Sequence, residues 1–395
     1  MRTILDLYLK NRTVILRCDL NVSIKDGNII DDTKIKESIK TIKYILDQGG
    51  RVVIMSHLGK IKTEEDKKKN DMRIVYERLN KLLPDKISFI DETSGPKLKK
   101  AVKKLEFGKG LLIQNTRYED LQKNRESGCD KKLSKFWAKL GNFYINDAFG
   151  TIHRMHASNY GVSNYLESAI GFLVMKELEN LNRLDNPKRP FVVIMGGAKI
   201  KDKIGIIKSL IKQADYILIG GAMAFTFLEA KGYRVGRSLF EEDQVEYCKK
   251  LISHYGDRLI LPVDLYGTYN LDDKPNVILQ DIDNIPNDFI GLDIGDETVK
   301  LFQSILKNTN TVFWNGPLGA YEYEKFRYGT NEILKYATKN VETVILGGGD
   351  IVGCSNILGL TKDVTFASTG GGATLKYLED HNQPGLRNME KWKKQ

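Results

Sequence analysis

FVVIMGGAKIKDKIGIIKSL, residues 191–210, opens on a run of apolar residues, turns on two glycines and continues into a longer amphipathic pattern. The apolar run is too short for a helix and is bounded by glycine, so it reads as a strand buried on both faces. The pattern AKIKDKIGIIKSL after it reads as a helix. A fully buried strand followed by a helix is the repeating unit of a parallel sheet covered on both sides.

The same grammar recurs along the chain. TVIL at 13–16, RVVIM at 51–55, LLIQ at 111–114 and FYIN at 143–146 read as buried strands in the first half. YILI at 216–219, RLIL at 258–261, TVFW at 311–314 and TVIL at 343–346 join FVVIM in the second. The predicted fold class is α/β: two doubly wound, Rossmann-like parallel-sheet domains with sites at the carboxyl ends of the strands. Between the halves, LVMKELENLNRLDNPKRP at 173–190 places Leu173, Leu178, Leu181 and Leu184 at helical spacing, and Pro187 and Pro190 close it. It is predicted to be a helix joining a first domain, 1–172, to a second, 191–372. The charged stretch 61–71 reads as a solvated loop.

A chain of 395 residues suits two domains, and 41% hydrophobic with 28% charged residues is ordinary globular composition. Sixty-one basic against 51 acidic residues give a net charge of +10, which suits anionic ligands. The basic residues lie beside acids, as in KIKTEEDKKKN, so no nucleic-acid arm is expected. Cys18, Cys129, Cys248 and Cys354 are far apart and lack metal-ligand spacing, which points to reduced, buried thiols rather than zinc or disulfides. Charges interrupt every apolar run near the start, and no run could span a bilayer. A cytoplasmic protein with no membrane partner is expected.

The chemistry lies in the turns that leave the strands. GGAK follows FVVIM, GGAMAF follows YILI, NGPLGAYE follows TVFW, GGGD follows TVIL, and STGGGAT follows DVTFA. Glycine after a strand lets backbone N–H groups approach a ligand, and a following helix N-terminus favours phosphate. Five such turns on one sheet edge point to a phosphate-bearing ligand. Walker, protein-kinase, GxSxG and GxGxxG patterns are absent, since neither Gly59–Lys60 nor Gly108–Lys109 has the upstream glycine a Walker loop requires. Lys199 and Lys203 are expected on one face at the opening of a helix, near transferring and nucleotide phosphates. Asp350 is placed to hold Mg²⁺ on a nucleotide or to cap the helix after GGG, and the two roles are compatible. In the first half, Arg17, Asp19 and Asn21 end one strand, His57 and Arg117 follow two others, and His153, Arg154 and His156 follow a fourth. An Arg/His cluster on a sheet edge suits a small polyanion bearing phosphate and carboxylate.

RCDLNVSIKDGNIIDD, SHLGK, NDAFGTIHRMH, PFVVIMGGAKIKDKI, GGAMAFTFLEAKGY, GLDIG, WNGPLGAYE, GGGD and STGGGATLKYLE resemble the motifs of the phosphoglycerate kinase family, in that family's order, from about residue 4 to residue 386. The resemblance implies two α/β domains around a cleft that closes, with segment 373–395 returning to the first domain. It implies 3-phosphoglycerate or 1,3-bisphosphoglycerate on the first domain, at Asp19, Asn21, Lys34, His57, Lys60, Arg117 and Arg154. It implies MgADP or MgATP on the second, at Lys203, Gly220, Gly221, Gly291, Asn315, Pro317, Glu322, Gly348, Gly349, Asp350 and Ile351, with Glu322 towards the ribose and Asp350 towards Mg²⁺. Lys199, Lys34, Gly371 and Gly372 would stabilise the transferring phosphoryl group, and a monomer is implied.

The chain departs from the pattern at several positions. Lys34 and Lys60 stand where arginine is usual, Ile61 where proline is, Ile351 where threonine or serine is, Phe366 where histidine is, and Gln114 where glutamate is. Lysine keeps the charge of arginine and loses its planar fork. Beside an active enzyme, these departures leave a family relative with little activity that binds ligands or partners, and a kinase for another small carboxylic acid.

Overall fold

The computed structural model describes residues 1–271 and 275–389. Each apolar run read as a strand forms or overlaps one. The chain divides into two compact units, 1–179 with 380–395, and 180–379. Helix Gly372–Glu379 therefore belongs to the second unit. Of the C-terminal segment expected to return to the first domain, residues 390–395 lie outside the described residues.

The first unit holds β1 (Thr13–Cys18), the short hairpin β2 (Ile24–Lys25) and β3 (Asn28–Ile29), β4 (Arg51–Met55), β5 (Ile87–Ile90), β6 (Gly110–Ile113), β7 (Phe143–Asp147) and β8 (Glu167–Ile170). Six of these make one parallel sheet in the order β5-β6-β4-β1-β7-β8. Its helices are α1 (Thr33–Asp47), α2 (Glu64–Lys69), α3 (Arg73–Leu82), α4 (Pro96–Lys104), α5 (Asp120–Lys123) and α6 (Lys131–Ala138). Val14, Leu16, Val52, Ile54 and Leu112 face Ile35, Ile42, Ile45, Val75 and Leu79 in one apolar core. All six β1 residues are buried, as expected of a central parallel strand covered on both faces.

Helix α7 (Phe172–Leu181) leaves this unit, and a 3-10 turn, Asn182–Leu184, follows it. The helix expected to run to residue 190 thus ends earlier, although Leu173, Leu178, Leu181 and Leu184 are all buried as their spacing required. The stretch 61–71 is not a plain loop: Thr63 and Asp66 form a reciprocal capping box that starts α2.

The second unit holds β9 (Phe191–Met195), β10 (Tyr216–Ile219), β11 (Leu259–Ile260), β12 (Asp264–Thr268), β13 (Ile278–Asp281), β14 (Ile290–Ile294), β15 (Thr311–Asn315), β16 (Thr343–Leu346) and β17 (Phe366–Ala367). Its parallel sheet runs β11-β10-β9-β15-β16-β17, and β13-β12-β14 form a small antiparallel sheet that the apolar runs did not announce. Helices α8 (Ile204–Leu210), α9 (Met223–Ala230), α10 (Val245–Tyr255), α11 (Asp296–Leu306), α12 (Tyr328–Asn340), α13 (Gly349–Ile357) and α14 (Gly372–Glu379) complete it. Trp314, fully buried in its core, donates its indole N–H to the Gly316 carbonyl at 2.8 Å and fixes the first bend after β15.

Candidate functional site

Because β9, β10, β15, β16 and β17 are parallel neighbours, their five glycine-bearing turns leave the sheet along one edge. The turns brace one another through the backbone. Gly196 N–H donates to Asn315 O at 2.9 Å, Gly197 N–H to Pro317 O at 2.7 Å, and Gly221 N–H to Leu318 O at 2.8 Å. A Cβ on Gly196 would collide with the Pro317 carbonyl, so the close approach of these chains requires glycine there.

Two cavities open beside these turns. One of about 1010 Å³ is lined by Gly291, Pro317, Glu322 and Asp350 and by the apolar Leu239 and Leu292. The other, about 290 Å³, is lined by Lys203, Asn315, Gly348, Gly371 and Gly372. Gly349 and Asp350 line both, so the two share a wall at the start of α13. A large, mainly apolar cavity suits a planar base, and a small glycine-walled one beside a lysine suits phosphates. Gly348, with φ 122°, and Gly371, with φ 57°, hold conformations that side chains rarely adopt.

Lys203 is half-buried and donates to Asn315 Oδ1, while Asn315 Nδ2 donates to the Gly347 carbonyl. Burial pulls the lysine down to about 8, against the opposing pull of Asp350 and Asp202. An anionic ligand would restore a fully charged ammonium there.

Several expected residues lie elsewhere. Lys199 is exposed and precedes any helix: residues 201–203 form a 3-10 turn and α8 starts at Ile204, so Lys199 and Lys203 do not share a helical face. Gly196 and Gly197 occupy the turn that a helix start would have needed. Gly220 and Gly221 pack against Leu318 and Gly197 instead of lining either cavity. Ile351 is buried inside α13 and lines neither. Gly348 is the N-cap of α13, and Asp350 stands in its first turn. Arg237, Ser238 and Leu239 line the larger cavity and were not anticipated, since they follow no strand. Ser238 Oγ accepts the Gly291 N–H at 2.9 Å and ties that segment to β14.

In the first unit, Arg17 on β1 is fully buried. Its Nε donates to Ser158 Oγ at 2.9 Å, one guanidinium nitrogen donates to Cys18 O, and the other lies 3.1 Å from His57 Nδ1. Ser158 sits in a single π-helical turn, Ala157–Gly161, and donates through both N–H and Oγ to the buried Glu126. Sequence reading missed Glu126 and Ser158 because neither follows a strand. Lys34 Nζ lies 2.9 Å from Asp19 Oδ2, and Asn21 Oδ1 accepts the Gly59 N–H at 2.8 Å. Arg117 donates to the Gly59 carbonyl at 3.2 Å, while its buried Nε has no partner among the described residues. Arg154 is exposed and donates to His153, and Lys60 is exposed.

The electrostatics follow from this crowding of cations. Burial, then Arg17 and Arg117, push His57 well below its ordinary value. Burial and the same arginines, with Arg154, push His156 down to about 3. Burial and the neighbouring Arg154 and Arg17 depress even Arg117. Arg17 and Arg117 thus crowd positive charge around two neutral imidazoles, a crowding that an anion would relieve. Among the described residues no group of three or more His, Cys, Asp or Glu side chains could hold a metal. A lone Asp350 suits an ion that arrives on nucleotide phosphates, not an ion caged by protein.

A family model described as phosphoglycerate kinase matches residues 4–381, the family indicated by the motifs. A phosphoglycerate kinase from Staphylococcus aureus (strain bovine RF122 / ET3-1) is 47% identical over 384 residues, covering 97% of each chain. One from Macrococcus caseolyticus is 46% identical over 390 residues, covering 98% of each. The solved structure of phosphoglycerate kinase from Coxiella burnetii matches with a TM-score of 0.88 at 31% identity, covering 98% of each chain. That from Pyrococcus horikoshii OT3 matches with a TM-score of 0.85 at 29% identity, covering 99% of this chain and 98% of that one.

Proposed function

This chain belongs to the phosphoglycerate kinase family, and on that premise we propose that it transfers a phosphoryl group reversibly between 1,3-bisphosphoglycerate and MgADP, giving 3-phosphoglycerate and MgATP. The observation that carries the reading is the pair of adjoining cavities sharing Gly349 and Asp350. We assign the larger to the base and ribose, with Glu322 towards the ribose hydroxyls. We assign the smaller to the phosphates, held by Lys203 and by the amides around Gly348, Gly371 and Gly372. Asp350 then meets Mg²⁺ carried by the nucleotide, an ion that would spread the charge of the phosphate oxygens.

The cationic edge of the first unit is assigned to the triose, with Asn21, His57, Arg117 and Arg154 around its phosphate, hydroxyl and carboxylate. The unpartnered Arg117 Nε supports this, because a buried guanidinium N–H without an acceptor is costly. In the direction of ATP consumption, a carboxylate oxygen of 3-phosphoglycerate forms the new bond to the γ-phosphorus. The bond to the bridging oxygen breaks, and its electrons leave with ADP. The carboxylate is already ionised near neutral pH, so no general base is required. Catalysis rests on in-line positioning and on cations and amides facing the equatorial oxygens.

The match to phosphoglycerate kinases over nearly the whole chain favours an active enzyme over a relative that only binds ligands, and Lys34 and Lys60 keep the positive charge usual at their positions. A coupled assay with 3-phosphoglycerate and MgATP tests the proposal. Absence of turnover at high enzyme concentration, with nucleotide binding intact, would overturn it. A panel of other small carboxylates in place of 3-phosphoglycerate tests the acceptor.

A further inference from the structure

Two helices that are separate in sequence meet on one side of the first unit's sheet. Helix α4 reads PKLKKAVKK and α6 reads KKLSKFWA. Their apolar faces are spent inward: Leu98, Val102, Leu133 and Trp137 are buried. Every lysine on either helix is exposed. The two are neighbours, because Lys99 Nζ lies 5.5 Å from the centre of the Phe136 ring and Trp137 Nε1 donates to Thr93 O, just ahead of α4, at 2.7 Å.

This face differs from the other charged helices. Helices α2, α10, α11, α12 and α14 each pair lysine with glutamate three or four residues away. Neither α4 nor α6 contains an acid. Among their lysines only Lys97 forms an ion pair among the described residues, with Glu92 at 2.9 Å. Lys99 and Lys103, Lys100 and Lys104, and Lys131 and Lys135 instead stand four apart, a like-charge spacing that disfavours the helix. A solvated face needs no such concentration of one sign.

We propose that the lysine face of α4 and α6 docks the phosphate backbone of duplex nucleic acid without sequence preference. An extended polyanion satisfies uncompensated lysines by displacing counterions, and point-charge ammonium groups without arginine forks give affinity with little base readout. A lipid surface is disfavoured because the apolar sides of both helices are already buried, leaving nothing to insert. A single strand is disfavoured because the rings at the face are occupied: Lys99 covers Phe136, and Lys135 lies 5.9 Å from the Tyr165 ring centre, so no open platform stacks bases. Counting charge along the chain missed this surface because the fold, not the sequence, joins 97–104 to 131–135.

The test uses the full-length protein and a fluorescent duplex of about 20 base pairs of mixed sequence, titrated by anisotropy at several salt concentrations. Binding in the micromolar range at low salt is expected, with a log–log salt slope of about −4 to −5 for roughly five phosphates neutralised. Lys100→Glu/Lys103→Glu/Lys132→Glu should weaken binding by about 30-fold or more and flatten the slope by about three. Lys212→Glu/Lys250→Glu/Lys339→Glu, exposed lysines elsewhere with the same change in net charge, should leave the affinity within about threefold. The corresponding glutamine triple at 100, 103 and 132 should give the same ranking with a smaller loss. Equal losses in the two glutamate triples, no salt-dependent binding, or tighter binding to a single strand or to phosphatidylglycerol vesicles would each overturn the proposal. Binding is read without substrates, so the outcome is independent of the phosphotransfer assignment.

Discussion

Replacing Asp293 with asparagine should reverse the sign of its effect on stability between weakly acidic and weakly alkaline solution. Asp293 lies buried on β14, where the Gly329 N–H donates to Oδ2 and the Ile294 N–H to Oδ1, each at 2.9 Å. Gly319 and Gly329 press so close that a Cβ on either would collide with its carboxylate. The side chain thereby ties β14 to the start of α12 and to the loop bearing Tyr321 and Glu322. Burial raises its pKa to about 7, with the amides of Gly329, Ile294 and Tyr328 pulling the other way. An unfolded aspartate titrates near about 3.9. The folded protein therefore holds the proton more tightly, so this group's contribution is fully present below pH ~4 and lost as pH rises through ~7. A separation of about three pH units corresponds to at most about 4 kcal/mol. Asp293→Asn cannot ionise, but its NH₂ group leaves one buried amide without an acceptor, a cost of about 1–3 kcal/mol. The variant should be the less stable protein near pH ~4, and the gap should close from there and reverse towards pH ~8. Urea unfolding across that range reads this, followed by Trp314 fluorescence with Trp137 and Trp392 replaced by phenylalanine. A gap that stays constant or widens with pH would refute the assignment of a buried carboxyl protonated below neutrality.

Lys203 should give nucleotide binding an alkaline limb: KM for ADP should rise, approaching tenfold per pH unit, above pH ~8 as the lysine loses its proton. Lys203→Arg should move that limb out of range, and an unchanged limb would assign it to another group. His57 and His156 should show no imidazole inflection by NMR between about pH 5.5 and 8 in the free protein, because burial and the arginines hold both neutral; an inflection near about 6.5 would contradict the packing of Arg17 and Arg117 around them. Lys34→Arg should retain or raise kcat/KM for 3-phosphoglycerate, since the fork can keep Asp19 and face an anion at once; a fall of about tenfold or more would show a site re-adapted around lysine.

The parts of this fold legible in sequence are those where one physical rule acts alone. FVVIM must be buried on both faces, and glycines after it must serve a close approach; the strand and the contact of Gly196 with the Pro317 carbonyl bear out both. Where two rules compete, the pattern misleads. AKIKDKIGIIKSL has a helix's composition from its first residue, yet the turn that packs Gly197 on Pro317 uses up the residues before 201. KTEEDKKK looks like a solvated loop by charge, yet Thr63 and Asp66 satisfy the donors that let a short helix start. Strand β13 alternates half-buried and exposed residues over only four positions, too few to register as a period.

The candidate site divides along the same line. Arg17, His57 and Arg117 could be gathered from sequence because each marks the end of a strand in a single parallel sheet. Ser158 and Glu126 could not, because Ser158 reaches Arg17, and Glu126 reaches Ser158, from segments that share no strand with β1. Their effect is nonetheless on the legible residues. By fixing the guanidinium of Arg17 against Ser158, they hold it beside His57, and that neighbour helps keep the imidazole neutral. A sequence can thus name the cations that meet an anion while leaving out the buried Ser158–Glu126 pair that fixes where one of them points.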